Sequence, residues 1–205
     1  MEFRNLISIA DIGLGWWDTL YSTCRDILSH PGDYGDALRG KLLASLFFEP
    51  STRTSFSFQS AMQRLGGTVF GFSNPNDSSR AKGESLADTI RMMSAYSDII
   101  VMRSPLEGAA AAAALYSEVP IINAGDGGHH HPTQTLTDLT TLQETRGKIG
   151  NLNIGLCGDL KYGRTVHSLV AALALFPGIR FTLVSPENLA MPEYMLGFMK
   201  SRGIP

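Results

Sequence analysis

Short apolar runs alternate along this chain with segments of helical periodicity, and this alternation constrains the fold more than any other feature. The apolar runs read as strands, and they are Leu42–Phe48, Thr68–Phe72, Ile99–Met102, Pro120–Asn123, Leu152–Cys157 and Arg180–Val184. After the first run, apolar residues recur at i, i+3, i+4 and i+7, namely Phe58, Ala61, Met62 and Leu65. Continuous apolar strands separated by helices predict a parallel sheet with helices on both faces.

Glycines between the later segments indicate two α/β halves. Further helices are predicted over Glu84–Ser97, Gly108–Ser117, Pro132–Arg146, Arg164–Phe176 and Pro192–Ser201. Gly147 and Gly150 interrupt the pattern after the third of these. We therefore expect two doubly wound parallel-sheet domains, residues 1–147 and residues 148–205, with the second one truncated.

Composition excludes several classes of protein. The net charge of −2 gives no basic excess for nucleic acid, and the longest weakly polar stretch, Gly108–Tyr116, is too short to span a bilayer. The first residues, 1–4, lack the layout of a signal peptide. Cys24 and Cys157 lie far apart and fit no disulfide or metal framework. We expect a cytoplasmic protein with neither nucleic acid nor membrane as a partner.

The junction after the first strand carries a cluster of anion-binding groups. The segment Ser51–Thr54, with the sequence Ser-Thr-Arg-Thr, lies where an apolar run gives way to a helical pattern. A helix N-terminus offers unpaired backbone N–H groups and a positive dipole end. Hydroxyls and a guanidinium at that point predict a phosphate site. The alternative is ordinary capping of the helix by Ser51 or Thr52, with Arg53 solvated.

Polar side chains also follow the other strands. They are Ser78 and Lys82 after the second strand, Arg103 at the end of the third, His131 and Gln134 after the fourth, and Lys161 and Arg164 after the fifth. Open α/β sheets bind ligands outside the carboxyl ends of their strands. The excess of cations at that edge predicts a small substrate with several negative charges. Taken alone, however, Arg103 and Lys82 each fit an ordinary surface role.

His131 differs from the two histidines before it. The run His129-His130-His131 invites a metal interpretation, but adjacent histidines on an extended chain point in opposite directions, so we expect no metal and no other cofactor. His131 precedes Pro132 and so occupies a helix N-cap, where the dipole favours the neutral ring as a donor to a carbonyl oxygen. Gln134 shares this first turn; its alternative role is to close a capping box.

Longer motifs around these residues resemble the transcarbamoylase family. The sequences Phe47-Phe48-Glu49-Pro50-Ser51-Thr52-Arg53-Thr54 and His131-Pro132-Thr133-Gln134 are similar to motifs of that family. Three more stretches resemble its aspartate branch rather than its ornithine branch, and they are Lys82–Thr89, Asn123–Gly127 and Gly158–Ser168. Ser55 departs from the pattern, because many relatives carry a second arginine there. The resemblance runs over nearly the whole chain.

The resemblance implies transfer of a carbamoyl group from carbamoyl phosphate to the α-amine of L-aspartate, an early step of pyrimidine biosynthesis. It implies that the phosphate is held by one helical turn, made of Ser51, Thr52, Arg53 and Thr54. No cofactor and no covalent nucleophile are implied.

Further roles follow from the same resemblance. Arg103, Thr54 and His131 would polarise the carbonyl oxygen of carbamoyl phosphate. Gln134 would orient the carbamoyl amine, and Arg164 would bind a carboxylate of aspartate. These five residues would therefore act on the reacting groups and the second substrate.

The resemblance also implies an oligomer. Ser78 and Lys82 would reach from a mobile loop into the site of a neighbouring subunit, which implies a homotrimer with shared active sites. Regulatory chains are possible further partners.

The length of the chain bears on the activity that we expect, and two other functions compete with it. The family's chains run to about twice the size of a typical domain, whereas this chain stops at residues 203–205, within the second half. We therefore expect binding of carbamoyl phosphate or phosphate with little turnover. The competing hypothesis is a non-catalytic anion-binding or assembly module, and a third is a metal protein based on residues 129–131.

Overall fold

The structure is a computed structural model, and it describes residues 5–74 and 82–204. The chain divides into two compact units. Unit 1 comprises Met1–Ile7 and Asp18–His129, and unit 2 comprises Ser8–Trp17 and His130–Pro205. This division precedes the expected boundary after residue 147, because the helix 132–146 contacts the helix 164–173 in unit 2. The assignment of one substrate to each domain stays a prediction.

Unit 1 contains a four-stranded parallel sheet in the order β2-β1-β3-β4. The helix α1 comes first, and its residues 14–17 belong to unit 2. The elements of this part of the chain are α1 (Leu14–Ser29), β1 (Leu42–Phe47), α2 (Thr52–Arg64), β2 (Thr68–Phe72), α3 (Leu86–Tyr96), β3 (Ile99–Ser104), α4 (Ala109–Ala114) and β4 (Ile121–Asp126). The predicted parallel α/β fold is confirmed.

Helices cover both faces of the unit 1 sheet. Leu46 and Ile90 of α3 belong to one buried cluster, together with the alanines of α4. Phe47 and Met62 of α2 belong to a second cluster on the opposite face. Successive strand residues point to opposite faces, and both faces of β1 are covered, so the strand is apolar except for the buried Ser45. Burial of each large apolar side chain in these clusters contributes about 1.5–3 kcal/mol to stability.

The fourth strand runs further than its sequence suggested. We predicted a strand that ends at Asn123, but β4 continues to Asp126. Gly125 has a φ of 121°, and its N–H donates to the side-chain oxygen of Asn123 at 2.8 Å. The register with β3 shifts between Met102 and Ser104. A glycine therefore lets the strand continue through an irregularity that other residues would resist.

Unit 2 contains a parallel pair of strands. Its elements are α5 (Pro132–Arg146), β5 (Asn153–Cys157), α6 (Arg164–Leu173), β6 (Arg180–Val184) and α7 (Glu193–Ser201). One face of the pair packs on α6 and α7 through a buried cluster that includes Leu156, Val170 and Met195. The residues of the opposite face, among them Cys157 and Thr182, are exposed in the described part of the chain. The strand positions match those predicted.

The helix α1 was not predicted, because no element was assigned before Leu42. Its residue Trp17 is buried and packs edge-on against Phe176 of unit 2, with ring centroids 6.4 Å apart. At 16 residues α1 is the longest helix described. No helix within residues 5–74 and 82–204 combines the length and the apolar character needed to cross a membrane.

We predict that Gly71→Ala destabilises the protein. Gly71 lies in β2 with a φ of 141°, and a Cβ placed there would be 2.0 Å from the carbonyl oxygen of Ser45 in β1. The free energy of unfolding should fall by more than about 1 kcal/mol, measured by denaturant unfolding. The control is Gly155→Ala in β5, where no atom lies within 4 Å, and it should change little. Equal effects of the two substitutions would contradict the account.

The stability of the protein should depend on pH through Asp98, which holds the start of β1 in the unit 1 sheet. Asp98 accepts hydrogen bonds from Lys41 Nζ at 2.8 Å and from the Leu42 N–H at 2.9 Å, and these bonds hold the pKa of its carboxyl below the ordinary 3.8. A lowered pKa contributes stability that is present above the ordinary value and is lost as the pH falls through the lowered one. Wild type should therefore melt above Asp98→Asn at pH 7, and the difference should shrink progressively as the pH is lowered below 3.8 and the carboxyl becomes protonated. A constant difference across this range would exclude the ionised carboxylate as its source.

Candidate active site

The N-terminus of α2 is open to an anion. Ser51 occupies the N-cap in an extended conformation, but its side chain makes no capping hydrogen bond. Its hydroxyl therefore leaves the first-turn N–H groups available, and the capping alternative for Ser51 is not what the structure shows. Thr52 is exposed as the first helical residue, and Thr54 is half-buried. Backbone donors, hydroxyls and the positive end of the dipole thus meet on one helical turn.

Arg53 adds a cation to this turn. Its side chain is exposed, and within the described residues it forms no ion pair. An arginine that no carboxylate neutralises can bind phosphate through two parallel N–H···O hydrogen bonds. The guanidinium of Arg53 is therefore free to serve an anion bound at the α2 N-terminus.

Arg103 is the opposite case, because it is held by a carboxylate. It lies in β3, beside Phe47 of β1 in the parallel register, and its side chain is only 14% exposed. Its Nε donates to Glu49 Oε1 at 2.6 Å, and its Nη1 lies 3.5 Å from the carbonyl oxygen of Ala124. The ion pair fixes the guanidinium at the carboxyl ends of neighbouring strands.

Glu49 was given no role from the sequence, although it lies within the Phe-Phe-Glu-Pro motif. The sequence feature that could have indicated its role is that Glu49 is the single carboxylate next to the cationic cluster that follows β1. The edge of the sheet therefore carries fewer unpaired cations than predicted. An anion that approaches Arg103 must compete with Glu49 or share the guanidinium with it.

A buried polar network closes the end of β4 in unit 1. Asn123 donates to the Ile7 carbonyl oxygen at 3.0 Å and to Asp126 Oδ1 at 3.1 Å. Asp126 Oδ2 accepts from the Gly108 N–H at 2.9 Å and lies 3.5 Å from His129 Nδ1. Asn123 and Asp126 are almost fully buried, so these bonds offset their desolvation. The network fixes the main chain next to the Arg103 contact.

His131 caps α5 in unit 2, as predicted. It is buried at the N-cap, and its Nδ1 lies 3.4 Å from the Gln134 N–H and 3.4 Å from the Thr133 hydroxyl. A ring nitrogen that accepts the N–H of Gln134 carries no proton, so in the neutral ring the proton is on Nε2. This tautomer presents a hydrogen-bond donor, which is what polarisation of a carbonyl oxygen requires.

Gln134 does not close a capping box. Its Nε2 donates instead to Asp138 Oδ1, one turn further along α5, at 3.0 Å. Burial raises the pKa of the Asp138 carboxyl, and the hydrogen bond from Gln134 opposes this shift. Asp138 was not among the residues predicted from the sequence; its signal was the i, i+4 spacing from Gln134 on one helix face.

Arg164 begins α6, directly after the loop that follows β5, and it is half-buried. Asp159 holds this loop by accepting from the N–H groups of Lys161 at 3.0 Å and Tyr162 at 2.9 Å. His167 was also missed: its Nε2 donates to the Leu160 carbonyl oxygen at 2.8 Å, which ties the loop to α6. The segment that carries Arg164 is thus fixed by two side chains.

The loop after β2 is described only at residues 73–74 and from residue 82 onward. Lys82 is exposed there, and Ser78 lies outside the described residues. Among residues 5–74 and 82–204, no group of three or more His, Cys, Asp or Glu side chains is arranged to hold a metal ion. The roles predicted for Ser78 and Lys82 stay predictions.

Comparison with known proteins places this arrangement in a family. Residues 4–144 match the family described as aspartate/ornithine carbamoyltransferase, carbamoyl-P binding domain. The aspartate carbamoyltransferase catalytic subunit of Finegoldia magna is 54% identical over 100% of this chain and 67% of the relative. That of Clostridium kluyveri is 52% identical over the same shares. The chain thus spans about two thirds of the length of these curated relatives.

Solved structures agree with the sequence relatives. The catalytic subunit of M. jannaschii aspartate transcarbamoylase has a TM-score of 0.91 and 50% identity, with 98% of this chain and 66% of that chain covered. Aspartate transcarbamoylase from Trypanosoma cruzi, solved in complex with carbamoyl phosphate, has a TM-score of 0.92 and 37% identity, with 99% and 65% covered. The family predicted from the motifs is confirmed: this chain belongs to the aspartate/ornithine carbamoyltransferase family, on its aspartate carbamoyltransferase branch.

Proposed function

We propose that this chain functions as a catalytic subunit that transfers the carbamoyl group of carbamoyl phosphate to the α-amine of L-aspartate. The products are N-carbamoyl-L-aspartate and phosphate, on the route to pyrimidines. Relatives in this family are named aspartate carbamoyltransferase catalytic subunits, and the aspartate transcarbamoylase from T. cruzi has been solved in complex with carbamoyl phosphate and aspartate.

The observation that carries the proposal is the open N-terminus of α2. Ser51 makes no capping bond, and Arg53 forms no ion pair among the described residues. A helix N-terminus and a guanidinium together favour a phosphate group over a neutral ligand. Ser51, Thr52, Arg53 and Thr54 would bind the phosphate of carbamoyl phosphate.

The chemistry needs charge stabilisation rather than a nucleophilic side chain. When the amine of aspartate attacks the carbamoyl carbon, negative charge develops on the carbonyl oxygen. Arg103, Thr54 and the Nε2–H of His131 would stabilise that charge, and each donor of this kind is worth about 3 kcal/mol. Gln134 would orient the carbamoyl amine, and Arg164 would bind a carboxylate of aspartate. Correct placement of both substrates would supply much of the remaining acceleration.

The proposal extends to assembly. Ser78 and Lys82 would complete the site of a neighbouring subunit in a homotrimer, and the exposed position of Lys82 is compatible with that role. The protein would work in the cytoplasm, where regulatory chains are possible further partners. A non-catalytic anion-binding or assembly module is not favoured, because the relatives that match are named as catalytic subunits.

We predict that Arg53→Ala weakens phosphate binding. Loss of a charge-assisted hydrogen bond should raise the Kd of inorganic phosphate about 10- to 100-fold, as measured by isothermal titration calorimetry. Arg64→Ala is the matched control, because Arg64 is an exposed arginine in the last turn of the same helix. It should leave the Kd unchanged. The phosphate site is misplaced if both variants bind phosphate as wild type does.

Lys82→Gln distinguishes a transferase from an idle module. In a protein with the full length of the relatives, formation of N-carbamoyl-L-aspartate should fall about 100-fold, because a cation that offsets substrate charge is lost. The melting temperature should not change, since Lys82 is exposed. Lys148→Gln, at another exposed lysine, is the control and should keep full activity. Unchanged turnover in Lys82→Gln would remove this residue from the mechanism.

A further inference from the structure

Gln134 and Asp138 form a pair that the proposed roles do not account for. They lie one turn apart on α5, both half-buried, with 3.0 Å between Gln134 Nε2 and Asp138 Oδ1. Within the described residues, the side chain of Asp138 has no other hydrogen-bond partner. The two side chains therefore form a hydrogen bond that is partly shielded from solvent.

The pair fixes which end of the Gln134 amide faces away from Asp138. A carboxylate only accepts hydrogen bonds, so the NH₂ end of the amide must point to Asp138. The carbonyl oxygen, Oε1, then points the other way as an acceptor. Without the carboxylate, the amide could rotate by half a turn and present its NH₂ group instead.

We propose that Asp138 is a positioning residue that holds the carbonyl oxygen of Gln134 ready to accept the N–H groups of a carbamoyl group. The inference rests on the proposed function. The oriented amide of Gln134 would give the site its preference for carbamoyl phosphate over acyl phosphates without an amine. Acetyl phosphate has a methyl group where carbamoyl phosphate has NH₂. An oriented Oε1 of Gln134 would therefore accept a hydrogen bond from carbamoyl phosphate but not from acetyl phosphate.

The environment of Asp138 supports a positioning role. Burial raises the pKa of its carboxyl, which means that the charged form loses hydration in the folded protein. An ordinary i, i+4 pair on a solvated helix face would bring a small stabilisation without that cost. The cost of a partly buried carboxylate is better explained by control of Gln134 than by stability of α5.

The test compares three ligands by calorimetry: carbamoyl phosphate, acetyl phosphate and inorganic phosphate. The quantity of interest is the ratio of the Kd of acetyl phosphate to that of carbamoyl phosphate. Asp138→Ala should lower this ratio about fivefold or more, the factor for one lost hydrogen bond, and leave the Kd of inorganic phosphate unchanged. Thr141→Ala, an exposed position on the same helix, is the control and should keep the wild-type ratio.

A double-mutant cycle separates positioning from a general structural effect. If Asp138 acts through Gln134, the variant Gln134→Ala/Asp138→Ala should have the same ratio as Gln134→Ala alone. Asp138→Asn keeps the size of the side chain and serves if the alanine variant does not fold. Its amide can accept or donate, so it no longer enforces one orientation, and its ratio should lie below that of wild type.

Two failures can be told apart. If the wild-type protein binds none of the three ligands, both the proposed function and the role of Asp138 are contradicted. If wild type binds carbamoyl phosphate in preference to acetyl phosphate, and the Asp138 variants keep that preference, only the role of Asp138 is overturned. Additive effects in the double mutant would likewise overturn it.

Discussion

The open N-terminus of α2 is the constraint on which the rest of the account depends. A buried strand ends at Phe47, and five residues later a helix begins whose N-cap side chain satisfies none of its first donors. Unpaired N–H groups favour an anion, and the sheet supplies a rigid base for them. Arg53 adds charge at the same turn. The phosphate site is thus a consequence of the connection between β1 and α2.

Charge balance explains why the two arginines of this region differ. Arg103 is largely buried, and a buried guanidinium without a partner would be costly, so Glu49 neutralises it. Arg53 is exposed, and water solvates it until a ligand arrives. The network of Asn123 and Asp126 supports the same region by fixing the end of β4, whose Ala124 carbonyl oxygen faces Arg103. The described part of unit 1 therefore holds one guanidinium in place and leaves another available.

The sequence predicted the strands and helices of the sheet well because apolar runs and helical spacing reflect burial directly. The helix α5 begins and ends where Pro132 and Gly147 indicate. The extension of β4 to Asp126 was missed because it depends on a bulge and on a glycine with positive φ, which local patterns do not encode. The helix α1 was missed although its apolar residues Leu14, Trp17, Tyr21 and Leu28 follow helical spacing, because no strand pattern precedes it. Motifs indicated the candidate binding residues, but not the side chains that hold them, because Glu49 and Asp138 act through hydrogen bonds that appear only in three dimensions.

The most direct test of the account is a calorimetric titration of the 205-residue chain with carbamoyl phosphate, repeated in the presence of inorganic phosphate. We expect one saturable site per chain and a weaker apparent affinity for carbamoyl phosphate when phosphate is present, because both ligands use the N-terminus of α2. Absence of binding by either ligand, or binding that phosphate leaves unaffected, would contradict it.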